Sequence, residues 1–183
     1  LSIAPEGFDD SSEIKSQDEV ITRISTFPVF SQDSYSKSVF GSFGPTPPKA
    51  GQKTAYTVYW KIVNPGSDII QTKVSAVLSA GVQWENQTRI NGTQAPITFN
   101  ERTSEVIWNL QIIPTRAGVL MGPVEGYFQV SIMPSENQKG RTVTLLKNTK
   151  LEGTDSFTKQ PISLTVGDIS TDLVKDGGGG VVE

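Results

Sequence analysis

The sequence predicts an all-β protein, an antiparallel β-sandwich of about seven strands with an N-terminal β extension. Helix signals are nearly absent. Short runs of β-type residues are broken again and again by Gly, Pro, Asn and Ser. These runs cover roughly 120 residues, the size of one two-sheet sandwich. The one helical candidate, residues 11–21, opens well at Ser12-Glu13. It has too few apolar residues at helical spacing and is expected to be coil or a short turn.

The clearest strand is Thr54 to Val63. Tyr56, Val58, Trp60 and Ile62 fall on one face and Thr57, Tyr59, Lys61 and Val63 on the other. The lysine marks the second set as outward. Asn64-Pro65-Gly66-Ser67 is a turn. Ile69 to Leu78 follows, with Val74, Ala76 and Leu78 inward and Lys73 and Ser75 outward. Val82 to Glu85 is expected to be short, and 86–96 to be a polar loop with a tight turn at Asn91-Gly92. Ile97 to Phe99 is a short strand. Glu105 to Leu110 sends Val106, Trp108 and Leu110 inward. A Gly/Pro loop spans 114–123. Val124 to Met133 is a second long strand, with Val124, Phe128, Val130 and Ile132 on one face. Thr142 to Leu151 and Ile162 to Val166 complete the set. Turns are expected at Glu152-Gly153-Thr154-Asp155 and Lys159-Gln160-Pro161.

Upstream, Val20 to Ser25 alternates like a strand, and Tyr35 to Phe43 holds Tyr35, Val39, Phe40 and Phe43. These apolar residues need a cover. They form an extra hairpin on the sandwich, the end of a preceding module, or a strand lent to a neighbouring molecule. The candidates for such an assembly strand are Val20, Ile24, Phe27, Phe30, Tyr35, Val39 and Phe40.

The composition excludes much chemistry. The 183 residues include 0 His and 0 Cys. A nucleophile activated by imidazole is ruled out, as are the usual zinc, haem and iron–sulfur ligand sets. Ser and Thr supply about a fifth of the chain, and charged residues only 19%, below the average for a globular domain. Net charge is −3, unevenly spread. Residues 1–20 carry about −5 and residues 168–183 about −3, leaving a mildly basic body. Acidic ends with a Gly177–Gly180 run point to solvated, flexible termini. The cations are scattered, so no nucleic-acid surface is expected. No run of about 18 apolar residues is present, so no membrane insertion is expected within this segment. The ends read as those of a segment of a longer chain.

Catalytic residues are not expected. Paired carboxylates can cleave glycosides without histidine, and Glu85, Glu101, Glu105 and Glu125 are the candidates. Glu105 and Glu125 sit beside inward strand positions, and the set is expected to lie on solvated faces. No cofactor is expected. Calcium is the metal these residue types would suit, through Asp155 with Glu152 or Asp9 with Asp10. The alternating Asp spacing of a strong calcium loop is missing. A Lys–Asn isopeptide bond needs a buried lysine, and Lys61 is expected to face outward. Trp60 and Trp108 alternate with core residues. Tyr59, Trp84 and Tyr127 are the aromatics expected to be exposed, and they are the candidates for stacking on a sugar. Asn86-Gln87-Thr88 and Asn91-Gly92-Thr93 are glycosylation sequons, read here first as loop polarity.

The segment Pro47-Pro48-Lys49-Ala50-Gly51-Gln52-Lys53-Thr54-Ala55-Tyr56-Thr57-Val58 leads on to Val63-Asn64-Pro65-Gly66-Ser67. Later come Val74 to Leu78, Ala80-Gly81-Val82-Gln83-Trp84 and Val106-Ile107-Trp108-Asn109-Leu110. Tyr127-Phe128-Gln129-Val130 and Gly153-Thr154-Asp155-Ser156-Phe157-Thr158 close the series. In order and spacing these resemble the immunoglobulin-like conserved repeat of prokaryotic cell-surface proteins, over residues 45–167. Ser79-Ala80-Gly81 departs from the Pro-x-Gly usual there. The resemblance implies an immunoglobulin-like sandwich in a repetitive extracellular surface protein, acting as spacer, adhesin stalk or assembly unit, with no shared catalytic site. Its partners would be neighbouring modules or identical subunits. The alternatives are a self-assembling surface-layer or fibre subunit that exchanges strands, and a carbohydrate-binding module for cell-wall or host polysaccharide. The expected division is an acidic flexible segment (1–19), a β extension or the end of a preceding module (20–44), the sandwich (45–167) and an acidic Gly-rich linker (168–183).

Overall fold

The computed structural model describes residues 27–37 and 39–183. The readings for residues 1–26, including the coil at 11–21, the strand at 20–25 and the ligands Asp9 and Asp10, lie outside the described residues. Among the described residues ten strands form two antiparallel sheets. The first, in order β1-β2-β7-β4, contains β1 (Val29–Tyr35), β2 (Thr54–Val63), β7 (Val124–Ile132) and β4 (Val82–Asn91). The second runs β10-β8-β3-β6-β5, with β9 also paired to β8. Its strands are β3 (Ile69–Leu78), β5 (Ile97–Asn100), β6 (Glu105–Ile113), β8 (Thr144–Asp155), β9 (Pro161–Thr165) and β10 (Ile169–Ser170). The fold is the immunoglobulin-like sandwich the sequence predicts. No helix among the described residues is long and apolar enough to cross a membrane.

Period-two alternation builds the core. Tyr56, Val58, Trp60 and Ile62 of β2, Val74 and Ala76 of β3, Val106 and Trp108 of β6, and Phe128 and Val130 of β7 are all buried between the sheets. Trp60 from one sheet meets Trp108 from the other, with ring centroids 6.4 Å apart and planes 22° apart. Phe128 packs edge-on to Trp60 at 4.8 Å. Both indole N–H groups have acceptors. Trp60 Nε1 donates to Gln32 Oε1 (3.0 Å) and Trp108 Nε1 to the Ala95 carbonyl (2.8 Å). This meets the requirement that a buried indole find a partner. Gly126 makes room for the pair, because a Cβ there would lie 3.1 Å from the Trp108 ring and 2.8 Å from Ile97 Cδ1.

Four expectations need correction. First, β4 does not stop at Glu85 but runs to Asn91 along β7. A bulge between Trp84 and Thr88 carries it, with Asn86 at φ 55°, a conformation Asn tolerates better than most residues. The polar run of an edge strand looks like a loop in sequence because only one of its sides needs to be apolar. Second, β8 continues through the turn expected at 152–155 and pairs with β3 and β9.

Third, residues 168–183 are not a linker. They contain β10 and a 3₁₀ turn at Thr171–Leu173, and bury Ile169, Thr171, Val174 and Val182. Fourth, the described part of the β extension forms a strand at Val29–Tyr35, a segment the sequence does not single out, and it pairs residue for residue with β2 of the same chain.

Chain direction follows from these pairings. Phe27 precedes β1 at the pole that holds Val63 and the Asn64–Ser67 turn. Glu183 lies at the opposite pole, where its amide and carbonyl bond Pro48 and Ala50.

Candidate functional site

The outer face of the four-stranded sheet carries the most chemistry. Tyr59 and Tyr127 stand directly opposite each other in the β2–β7 register. Their rings stack at 4.6 Å and 22°. The Tyr59 hydroxyl donates to Glu125, whose other oxygen accepts from Asn91 Nδ2 at 3.2 Å. Burial, then the bond to this carboxylate, push the Tyr59 phenol well above its ordinary value. Lys61 is the cross-strand partner of Glu125, and Arg89 of β4 the partner of Tyr127. Val39, from the segment joining β1 to β2, completes a notch of about 260 Å³ with Arg89, Ile90, Asn91, Glu125 and Tyr127.

The same face is covered nearer the other pole. Ala55, Thr57, Gln129 and Ser131 lie on its outward side and are nevertheless buried. Residues 43–45 cross there, with the Ala55 amide donating to the Phe43 carbonyl (2.9 Å) and Thr54 Oγ1 to the Pro45 carbonyl (3.0 Å). Lys53 Nζ sits 2.8 Å from Glu85 Oε1, and Ser131 donates to the same oxygen. Burial alone would raise the Glu85 carboxyl, but the bonds from Lys53 and Ser131 outweigh it and hold the group below its usual range.

A third cluster joins the first strand to residues 168–183. Lys175 N donates to the Ser34 carbonyl (2.9 Å), next to a parallel bridge between Ser34 and Val174. The Asp176 carboxylate accepts from Ser36 N (3.1 Å), Ser36 Oγ (3.0 Å), Lys37 N (2.6 Å) and Gly178 N (3.4 Å). Burial is the largest single influence and raises its pKa, but the bonds from Lys37, Ser36 and Gly178 together outweigh it, and the net direction is down.

The structure sorts the sequence candidates. Tyr59 and Tyr127 come together, half-buried, on the outer face. Trp84, expected outward with them, is a correction. It pairs with the inward Val130 and so points to the core side, between Phe99 (5.5 Å) and Phe128 (5.4 Å). Among the assembly-strand candidates, Phe30 is buried against Trp60, and Tyr35 ends β1. Phe27 and Val39 are exposed and Phe40 is half-buried; Val20 and Ile24 lie outside the described residues.

The carboxylates do not assemble into an acid–base pair. Glu85, Glu105 and Glu125 are engaged by Lys53, Lys73 and Tyr59 respectively, and Glu101 is exposed. Asp155 is buried and accepts from Ser67 Oγ, Phe157 N and Thr158 N, which makes it a turn staple; Glu152 pairs with Lys150. Among the described residues no group of three or more acidic side chains could hold a metal ion. Lys61 is half-exposed on the outer face. Asn86 and Asn91 of the sequons are exposed on β4, and Asn91 is the one tied to Glu125. Asp176 escaped the sequence reading, because its partners are backbone amides about 140 residues away.

No family model matches the sequence, and no curated protein does. Solved structures do. The major pilin subunit BcpA of Bacillus cereus aligns over 80% of this chain and 40% of its own, at TM-score 0.50 and 11% identity. A variant of the same pilin gives TM-score 0.51 at 10% identity, with the same coverage. The full-length major pilin SpaD of Corynebacterium diphtheriae aligns over 78% of this chain and 34% of its own, at TM-score 0.47 and 10% identity. The chain thus spans about 40% of the length of the BcpA structures. What it has in common with BcpA is a fold, the immunoglobulin-like sandwich.

Proposed function

We propose that this chain is a non-catalytic structural module of an extracellular cell-surface protein, a unit that spaces and bears load between neighbouring modules. The observation that carries the reading is the path of the chain. Phe27 and Glu183 lie at opposite poles, and β1 is pinned on both sides. It pairs with β2 over seven residues, and its far edge meets Val174, Lys175 and Asp176. β1 and the 174–176 segment run parallel. Tension between the poles therefore pulls β1 one way and that segment the other. Interstrand hydrogen bonds lie across the strands, so such a pull loads them together rather than one at a time. The fold likeness to a pilin and the resemblance to a surface repeat point the same way. Strand exchange has less support, because Phe30 already fills this chain's own core. Light scattering of residues 1–183 is accordingly expected to give a monomer at every concentration.

Single-molecule pulling tests the reading, since forced unfolding reports the unfolding barrier along the pulled direction. Residues 1–183 pulled through their ends should resist more force than the same chain pulled through cysteines at Thr103→Cys and Asn137→Cys, both at the Glu183 pole. Equal forces in the two geometries would remove the load-bearing role.

A further inference from the structure

The notch beside Tyr127 has no part in the load path, and its chemistry is that of a ligand site. One ring face of Tyr127 is taken by Tyr59. The other looks toward β4, where Arg89 is its cross-strand partner and Val39 stands exposed at the rim. Glu125 is held still by the Tyr59 hydroxyl and the Asn91 amide. A carboxylate has about four lone-pair positions, so Glu125 keeps acceptor capacity after those two bonds. Arg89 contributes exposed donors. An apolar wall with a few fixed polar groups is the general make-up of a small-molecule site.

We propose that this notch binds one neutral pyranose unit of a polysaccharide. A pyranose has a C–H face and a rim of hydroxyls. The face fits the Tyr127 ring and Val39. The hydroxyls donate to Glu125 and accept from Arg89 and Asn91. A volume of about 260 Å³ falls just under the roughly 300–1,000 Å³ of sites for drug-sized ligands, so a single ring fits and the rest of the glycan runs on over the surface. The Glu125 charge disfavours an acidic sugar. A lone shallow site of this kind binds weakly, with Kd of about 1 mM. Repetition of modules along a surface protein would convert that into avidity.

Amide-resolved NMR titration of residues 1–183 tests the site with four probes: maltotriose, cellotriose, chitotriose and trigalacturonate. At least one neutral trisaccharide should shift the amides of Val39, Arg89, Asn91 and Tyr127 and saturate in the millimolar range. Tyr127→Ala should weaken binding about tenfold, or about 1.4 kcal/mol, because the ring face is what the sugar uses. Arg89→Ala, at an exposed position, should also weaken it without disturbing the fold. It decides the matter if Tyr127→Ala does not fold. Shifts from none of the neutral probes would overturn the proposal, as would shifts elsewhere on the surface, binding of trigalacturonate alone, or wild-type binding by Arg89→Ala.

Discussion

At the centre of the sandwich, Trp60, Trp108 and Phe128 hold the two sheets together by burial. Along its open side, residues 168–183 bury Ile169, Val174 and Val182 but fasten β1 itself by different means: backbone bonds, one carboxylate and glycines packed against their neighbours. A Cβ at Gly178 would lie 1.8 Å from Ser36 Oγ, and one at Gly179 would lie 2.0 Å from the Thr171 carbonyl oxygen. The centre is energetically deep, since its stabilisation grows with the apolar area removed from water. The closing segment is energetically shallow and intolerant, since its contacts depend on distances of a few tenths of an ångström. One region sets whether the chain folds, and the other how the first strand is fastened.

The largest effect is expected at the centre. Trp108→Ala removes a fully buried indole and should cost about 3–5 kcal/mol, a large share of the 5–15 kcal/mol typical of a domain. Urea unfolding followed by circular dichroism measures it. A loss below 1 kcal/mol would mean that the two sheets are joined mainly elsewhere, and the contrast with the closing segment would collapse.

The same contrast explains what could be read from sequence. The central strands announce themselves because burial imposes a period of two, and Tyr56-Val58-Trp60-Ile62 and Val106-Trp108-Leu110 show it plainly. Edge elements are harder to read because burial constrains them less. β4 hides behind polar residues and a bulge at Asn86. Residues 168–183 combine acids with four consecutive glycines, the composition of a linker. Here Gly178 and Gly179 serve close approach, and Asp176 serves a bond network that no local pattern encodes. The candidate site was half legible. Alternation put Tyr59 and Tyr127 outward, but only the β2–β7 register brings them together. Trp84 left the set because the β4–β7 register turns it inward.

A smaller and more local effect is expected at Gly179. A methyl group there collides with the Thr171 carbonyl, which already accepts the Gly180 amide at 2.7 Å. Gly179→Ala should cost about 1–3 kcal/mol, the usual range for overpacking. Hydrogen exchange gives the sharper readout, because local opening and global unfolding separate there. Amides of 171–183 should exchange faster while those of β2, β3 and β7 keep their protection. Uniform loss of protection would show instead that the closing segment and the core unfold as one unit.

The smallest effect concerns Asp176 and depends on pH. The carboxylate is exposed, so its four donors are discounted for solvent screening, and Asp176→Asn, which keeps one acceptor oxygen, should cost about 1 kcal/mol near neutrality. Its folded pKa is lowered, against about 3.9 for an unfolded Asp. Folding therefore favours the ionised form, and the contribution is fully present above the unfolded value. It is lost as pH falls through the folded value, where the carboxylate must take up a proton. Glu85 is lowered too and acts in the same acid window, but it does so equally in both proteins. The difference in Tm between wild type and Asp176→Asn thus isolates the clasp. It should be constant from pH 7 down to about 5 and shrink toward zero in stronger acid. A difference that persists unchanged into that acid range would assign the effect of the substitution to packing rather than to charge, and the bonds to Ser36 and Lys37 would then count as geometry without electrostatic gain.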